Sequence, residues 1–103
     1  MSKYVFSFNK ETSTLWFDDP NYNELFIRCQ IEYFRDAIKR DRVVLMKDVL
    51  KHLGFDIKTF DIKTLCKYWN DGDVDITFMR EEDSMDAYNP KPNAYLIILK
   101  TDN

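Results

Sequence analysis

Seven carboxylates fall within sixteen residues of this chain: Asp71, Asp73, Asp75, Glu81, Glu82, Asp83 and Asp86, against Arg80 alone. Clustered carboxylates can ligate a hard cation, exchange protons as a pair, or present negative charge to a cationic partner. The alternation of Asp71, Asp73 and Asp75, with Glu82 at the twelfth position, echoes a calcium loop. Such a loop needs glycine at its sixth position for a sharp turn, and Ile76 stands there. Val74, Ile76 and Phe78 also alternate with Asp75 and Thr77 as a half-buried strand does. No two of the acids are singled out as an acid–base pair, because pairing of that kind is spatial. What is left is a surface for a basic partner, set against the plainer role of keeping a loop solvated.

The other reactive residue types are scarce. His52 is the only histidine, and with Cys29 and Cys66 it would still lack a fourth zinc ligand at any familiar spacing. It falls on the polar side of a short helix near its end. Neither cysteine has a base beside it in sequence to activate a thiolate. Gly54 and Gly72 are the only glycines, too few for a phosphate-cradling loop or a dinucleotide fingerprint. No catalytic residue, metal site or cofactor is therefore expected, and the chain reads as a non-enzyme.

The elements that position these residues belong to one domain of 103 residues. Hydrophobic residues make up 45% of it and aromatics 16%, enough for an ordinary core. The longest apolar run, Ala94–Leu99, is far short of the ~20 residues of a membrane-spanning helix. No secretion signal opens the sequence. Reduced, partly buried thiols and a cytoplasmic location are the expectation.

The fold class expected is α+β, with a small antiparallel sheet and two or three helices. Lys3–Phe8 and Thr14–Phe17 read as an N-terminal hairpin over residues 3–17. Asp18-Asp19-Pro20 then opens a helix, with proline harmless at the first position. That helix runs to about Arg40, with Ile27, Ile31, Phe34 and Ile38 on one stripe. Tyr22, Phe26, Cys29, Tyr33 and Ala37 widen the apolar arc to roughly two-thirds of the circumference. So wide an arc implies cover on more than one side, or a dimer surface. Val43–Leu45 is a short extended piece. Met46, Val49, Leu50 and Leu53 form a short amphipathic helix stopped by Gly54, with Phe55 placed to pack back on its last turn. Residues 56–69 are ambiguous between helix and strand. The tetrapeptide Asp-Ile-Lys-Thr occurs at 56–59 and again at 61–64, too short an echo for a structural repeat. The helical part thus spans 20–69 and a C-terminal strand pair spans 74–99, joined by a polar tip over Arg80–Asn93.

In its order of elements the segment Tyr22–Arg40, Val43–Leu45, Met46–Leu53, Thr59–Trp69, Val74–Met79 and Ala94–Leu99 resembles a winged helix-turn-helix. That resemblance implies that the segment 59–69 enters a DNA groove with Lys58, Lys63 and Lys67 as its cations. Residues 39–67 carry eight bases against four acids, which suits phosphate contacts. The acidic tip would repel phosphate, and the segment lacks the Arg, Asn and Gln that usually read bases. The run Val43–Gly54, with Trp69 and the strand pair behind it, is also similar to a pattern in small accessory proteins of phages and mobile elements. The expected function is non-catalytic protein binding. An anti-CRISPR-like inhibitor would be one instance, its acids engaging a partner whose basic surface normally holds nucleic acid. A nucleic-acid-binding regulator is the alternative, and homodimerisation is open.

Overall fold

The computed structural model describes residues 1–85 and 89–103. The chain is α+β, with a three-stranded antiparallel sheet, a two-stranded ribbon and three helices. Strand β1 (Ser2–Phe8) is followed by α1 (Pro20–Asp41), β2 (Val43–Leu45), α2 (Met46–His52), α3 (Ile62–Leu65), β3 (Tyr68–Asn70), β4 (Asp75–Arg80) and β5 (Tyr95–Thr101).

β5 is the middle strand, with β1 on one side and β4 on the other. Its register runs from Ser2 opposite Thr101 to Phe8 opposite Tyr95, and from Asp75 opposite Lys100 to Arg80 opposite Tyr95. Tyr95, Ile97 and Leu99 therefore share one face with Tyr4, Phe6, Ile76 and Phe78. Ile97 and Leu99 are fully buried. Each contributes on the order of 1.5–3 kcal/mol by leaving water. The core closes with Ile27, Ile31, Phe34 and Ile38 of α1 and Met46, Val49 and Leu50 of α2.

The helix signals in the sequence hold locally. The Asp19 carboxylate accepts the backbone N–H groups of Asn21 and Tyr22, and Pro20 occupies the first turn. At the end of α2, Gly54 has φ +85°, the Phe55 N–H donates to the Leu50 carbonyl and the Gly54 N–H to the Lys51 carbonyl. These are the two bonds of the Schellman stop.

The expected N-terminal hairpin does not form. Residues 14–17 are not a strand, and β1 takes β5, from the far end of the chain, as its partner along its whole length. The buried Asn9 makes the difference. Its side-chain oxygen accepts the N–H groups of Glu11 and Thr12, and the Thr12 hydroxyl donates to the Ser7 carbonyl at 2.6 Å. This turn leads the chain beneath the end of α2. There Ser13 bridges to Phe55 and its hydroxyl donates to the Leu53 carbonyl at 2.7 Å.

Residues 56–69, ambiguous between helix and strand in the sequence, contain short pieces of both. A 3-10 turn, Ile57–Thr59, precedes the single turn of α3, and β3 follows. The Asp56 carboxylate accepts the Lys58 N–H and the Asp61 carboxylate the Thr64 N–H. The repeated tetrapeptide is thus two successive aspartate-capped turns. Phe60 between them is extended (ψ 149°). Its ring lies edge-on to Phe6, 5.0 Å between centroids, so anchoring it there prevents the turns from fusing.

Both thiols are free and exposed, where partial burial was expected. Cys29 lies on a side of α1 that nothing covers among the described residues, and Cys66 caps the short α3. Among the described residues no helix is long and apolar enough to cross a membrane.

Candidate functional site

The acids that adjoin one another in sequence separate into two groups in space, because β4 stands between them. Asp75 opens that strand and Glu81 follows its end. At about 3.3 Å per residue the two lie roughly 20 Å apart along it. Asp71 and Asp73 precede the strand, in the turn after β3, so only Asp75 belongs to a pleated row. The acids before and at the start of β4 form a rim.

That rim borders a cleft of about 640 Å³ where the β2–β3 ribbon meets the three-stranded sheet. Asp71, Asp73, Asp75 and Asp102 line it, with Arg35 and Lys100 as the bases. Trp69 joins the two sheets, its indole N–H donating to the Lys100 carbonyl at 2.7 Å. The Asn103 carboxamide meets both backbone groups of Tyr68, donating to its carbonyl (2.7 Å) and accepting its N–H (3.2 Å). These bonds fix the wall on which Asp102 stands. Asp71, at φ +46°, faces Arg42 at 3.4 Å, a pair exposed on both sides and therefore weak. The side chains of Asp73, Asp75 and Asp102 make no hydrogen bond or ion pair among the described residues, although Lys100 stands opposite Asp75 in the sheet. Their charge is available to something outside the molecule.

The second group is more engaged within the chain. Glu81 is half-buried and accepts the Ser7 hydroxyl at 2.8 Å. Arg80 reaches Glu24 of α1 at 3.0 Å and Glu82 at 3.9 Å. The hydrogen bond that Arg80 donates to Glu24 raises the Arg80 pKa above its usual value, so the guanidinium stays charged. Asp83 is exposed and has no such partner among the described residues. Asp86 lies outside the described residues. The flank of the tip is fastened to the N-terminal segment: Lys91 pairs with Glu11, Asn93 donates to Asp18, and the Trp16 indole donates to the Asn93 carbonyl.

The basic candidates sit on three successive short pieces: Lys58 in the 3-10 turn, Lys63 in α3, and Lys67 between α3 and β3. Lys58 and Lys63 are exposed and Lys67 is half-buried. α3 rises only about 6 Å over its four residues, too little to lay several side chains along a major groove.

Among the described residues no three His, Cys, Asp or Glu side chains converge as metal ligands would. His52 stacks on Tyr33 at 5.1 Å between ring centroids and meets Phe34 edge-on, with no acid–base partner beside it among the described residues.

Asp102, Asn103 and Trp69 are the parts of the cleft that the sequence did not disclose. Asp102 is separated from the acidic run by a near-neutral stretch, and only the pairing of β4 with β5 returns it to Asp75. The chain matches no protein-family model, no curated protein and no solved structure, so its own residues carry the reading.

Proposed function

We propose that this chain is a non-catalytic binding protein whose cleft rim, formed by Asp71, Asp73, Asp75 and Asp102, engages a basic surface of a partner protein. The observation that carries this is the unspent charge of Asp73, Asp75 and Asp102 beside a preformed cleft. Four acids face two bases there, and the potential of such a concave wall extends beyond single contacts. Partner groups of the right kind are lysine and arginine side chains, arginine above all, because its fork matches a carboxylate. Glu81, Glu82 and Asp83 are secondary in this reading, since Ser7 and Arg80 already occupy two of them. The accessory, inhibitor-like role implied by the sequence resemblance is one form the activity would take. The partner would then be a nuclease or similar protein whose nucleic-acid channel supplies the cations.

A regulator that binds nucleic acid through Lys58, Lys63 and Lys67 is the second reading. It has the exposure of Lys58 and Lys63 in its favour, but α3 offers a short platform. Affinity capture from host lysate separates the two. Wild type and a Glu82→Lys/Asp83→Lys control should retain the same proteins, and Asp73→Lys/Asp75→Lys should lose them. Capture unchanged in the rim variant, or nucleic-acid binding that weakens steeply with salt and vanishes on Lys58→Ala/Lys63→Ala, would replace the first reading by the second.

A further inference from the structure

α1 carries a second apolar stripe that the fold leaves about half exposed, with Tyr33 stacked on His52 and Tyr22 on Phe26. Ile27, Ile31, Phe34 and Ile38 face the core, whereas Tyr22 (46%), Leu25 (63%) and Tyr33 (46%) remain exposed together with Cys29. At 100° per residue these four lie within an arc of about 80°, continued toward the C-terminus by Asp36 and Arg40. Phe17 (61% exposed) extends the patch at its other end, with its ring 5.4 Å from that of Tyr22. Aromatic residues at such density mark interface centres.

We infer that this stripe is the interface of a symmetric homodimer, with α1 packed antiparallel against α1 of a second copy about a two-fold axis at Cys29. Charge selects this occupant and this direction. Asp18 and Asp19 stand at the start of α1, and Lys39 and Arg40 in its last turn. An axis at Cys29 opposes residue i to residue 58 − i. Asp18 then meets Arg40, which within its own chain pairs with Asp41, Leu25 meets Tyr33, and the Tyr22 hydroxyl meets the Asp36 carboxylate, while Asp19 and Lys39 fall on opposite flanks. The antiparallel helix dipoles add to the same preference. The parallel alternative would stack like charges at both ends.

The interface is small. About half of four large side chains of roughly 200 Å² each gives ~400 Å² per copy, and the charged ends raise the total buried area to around 1,000 Å². That is the low end for a specific complex, so the dimer should dissociate in the micromolar to submillimolar range. Helix axes 8–10 Å apart and a Cα radius of 2.3 Å place facing Cα atoms about 3.4–5.4 Å apart. This overlaps the span of a disulfide, so Cys29 reports on the axis.

Sedimentation equilibrium over roughly 10 μM to 1 mM tests the inference. The reduced chain should move from the mass of one copy toward twice that mass. Leu25→Glu, at a position too exposed to matter for the monomer's core, should stay at one copy with an unchanged circular dichroism spectrum. Mild oxidation should cross-link Cys66→Ser into a dimer and leave Cys29→Ser uncross-linked. A single-copy mass up to 1 mM, a dimer that survives Leu25→Glu, or cross-linking that runs through Cys66 would each overturn it. The stripe is remote from the acidic rim in sequence and element. Asp73→Lys/Asp75→Lys should therefore leave self-association intact, and failure of either proposal would not carry the other with it.

Discussion

Replacing Gly54 by alanine should destabilise the fold by roughly 2–5.5 kcal/mol. The left-handed backbone at φ +85° costs an L-residue about 1–2 kcal/mol. A Cβ there would collide with the Ser13 hydroxyl and stand 2.9 Å from Leu15 Cγ, and overpacking of this kind adds about 1–3 kcal/mol. The bond from the Ser13 hydroxyl to the Leu53 carbonyl would be displaced, removing about another 1 kcal/mol. Against these stands the stiffer unfolded chain of the alanine variant, worth about 0.4–1 kcal/mol. In a domain of this size the net loss lowers the melting temperature by roughly 10–25 °C. Urea denaturation followed by fluorescence, with both tryptophans as reporters, measures it. Ser13→Gly alone should cost about 1 kcal/mol, and the double variant should be less destabilised than the sum of the two by at least about that much. A Gly54→Ala loss below about 1 kcal/mol, or strict additivity with Ser13→Gly, would refute the crossing of the N-terminal segment over the end of α2.

Two further predictions test the joints of the fold. Asn23 is fully buried and exchanges two hydrogen bonds with Phe17, accepting its N–H at 3.0 Å and donating to its carbonyl at 2.6 Å. Asn23→Ala should cost roughly 2–3 kcal/mol in urea denaturation, and Asn23→Asp, which sets a buried carboxylate oxygen against the Phe17 carbonyl, should cost at least as much at neutral pH. Burial pushes the Tyr95 phenol above its usual value, with the Glu24 carboxylate adding to the shift, and its hydroxyl donates to the Pro20 carbonyl at 3.0 Å. The folded chain holds this proton longer than the unfolded one. Its contribution is therefore complete below about pH 10 and is lost as pH rises through the folded value. Tyr95→Phe should flatten the fall in the urea midpoint above pH 10, and an unchanged slope would count against the buried phenol.

Local chemistry was legible where a few neighbouring residues decide the outcome. Asp19-Pro20 and Gly54-Phe55 set the ends of α1 and α2, and the alternation Val74-Ile76-Phe78 marked a half-buried strand. Choices between distant partners were not legible. Nothing in Lys3–Phe8 says whether a strand from residues 14–17 or one from residues 95–101 will pair with it. The turn at Asn9, which closes off the nearer option, depends on side-chain bonds to Glu11 and Thr12. Periodicity showed the width of the apolar arc on α1 but not which part the sheet would cover, so the exposure of Cys29 emerged only from the fold. The acidic run was visible as composition. Its division into two groups follows from the length of β4, and the addition of Asp102 follows from strand pairing.

The claim at the centre is that negative potential available to a partner is concentrated at the cleft rim and depleted beyond β4. Titration with a lysine-rich decapeptide at low ionic strength, followed by amide chemical shifts, measures this directly. The largest shifts should fall on Asp71, Asp73, Asp75 and Asp102, and should weaken as salt shortens the Debye length toward about 8 Å. Shifts centred on Glu81–Asp83, or spread evenly over all the acids, would contradict the account.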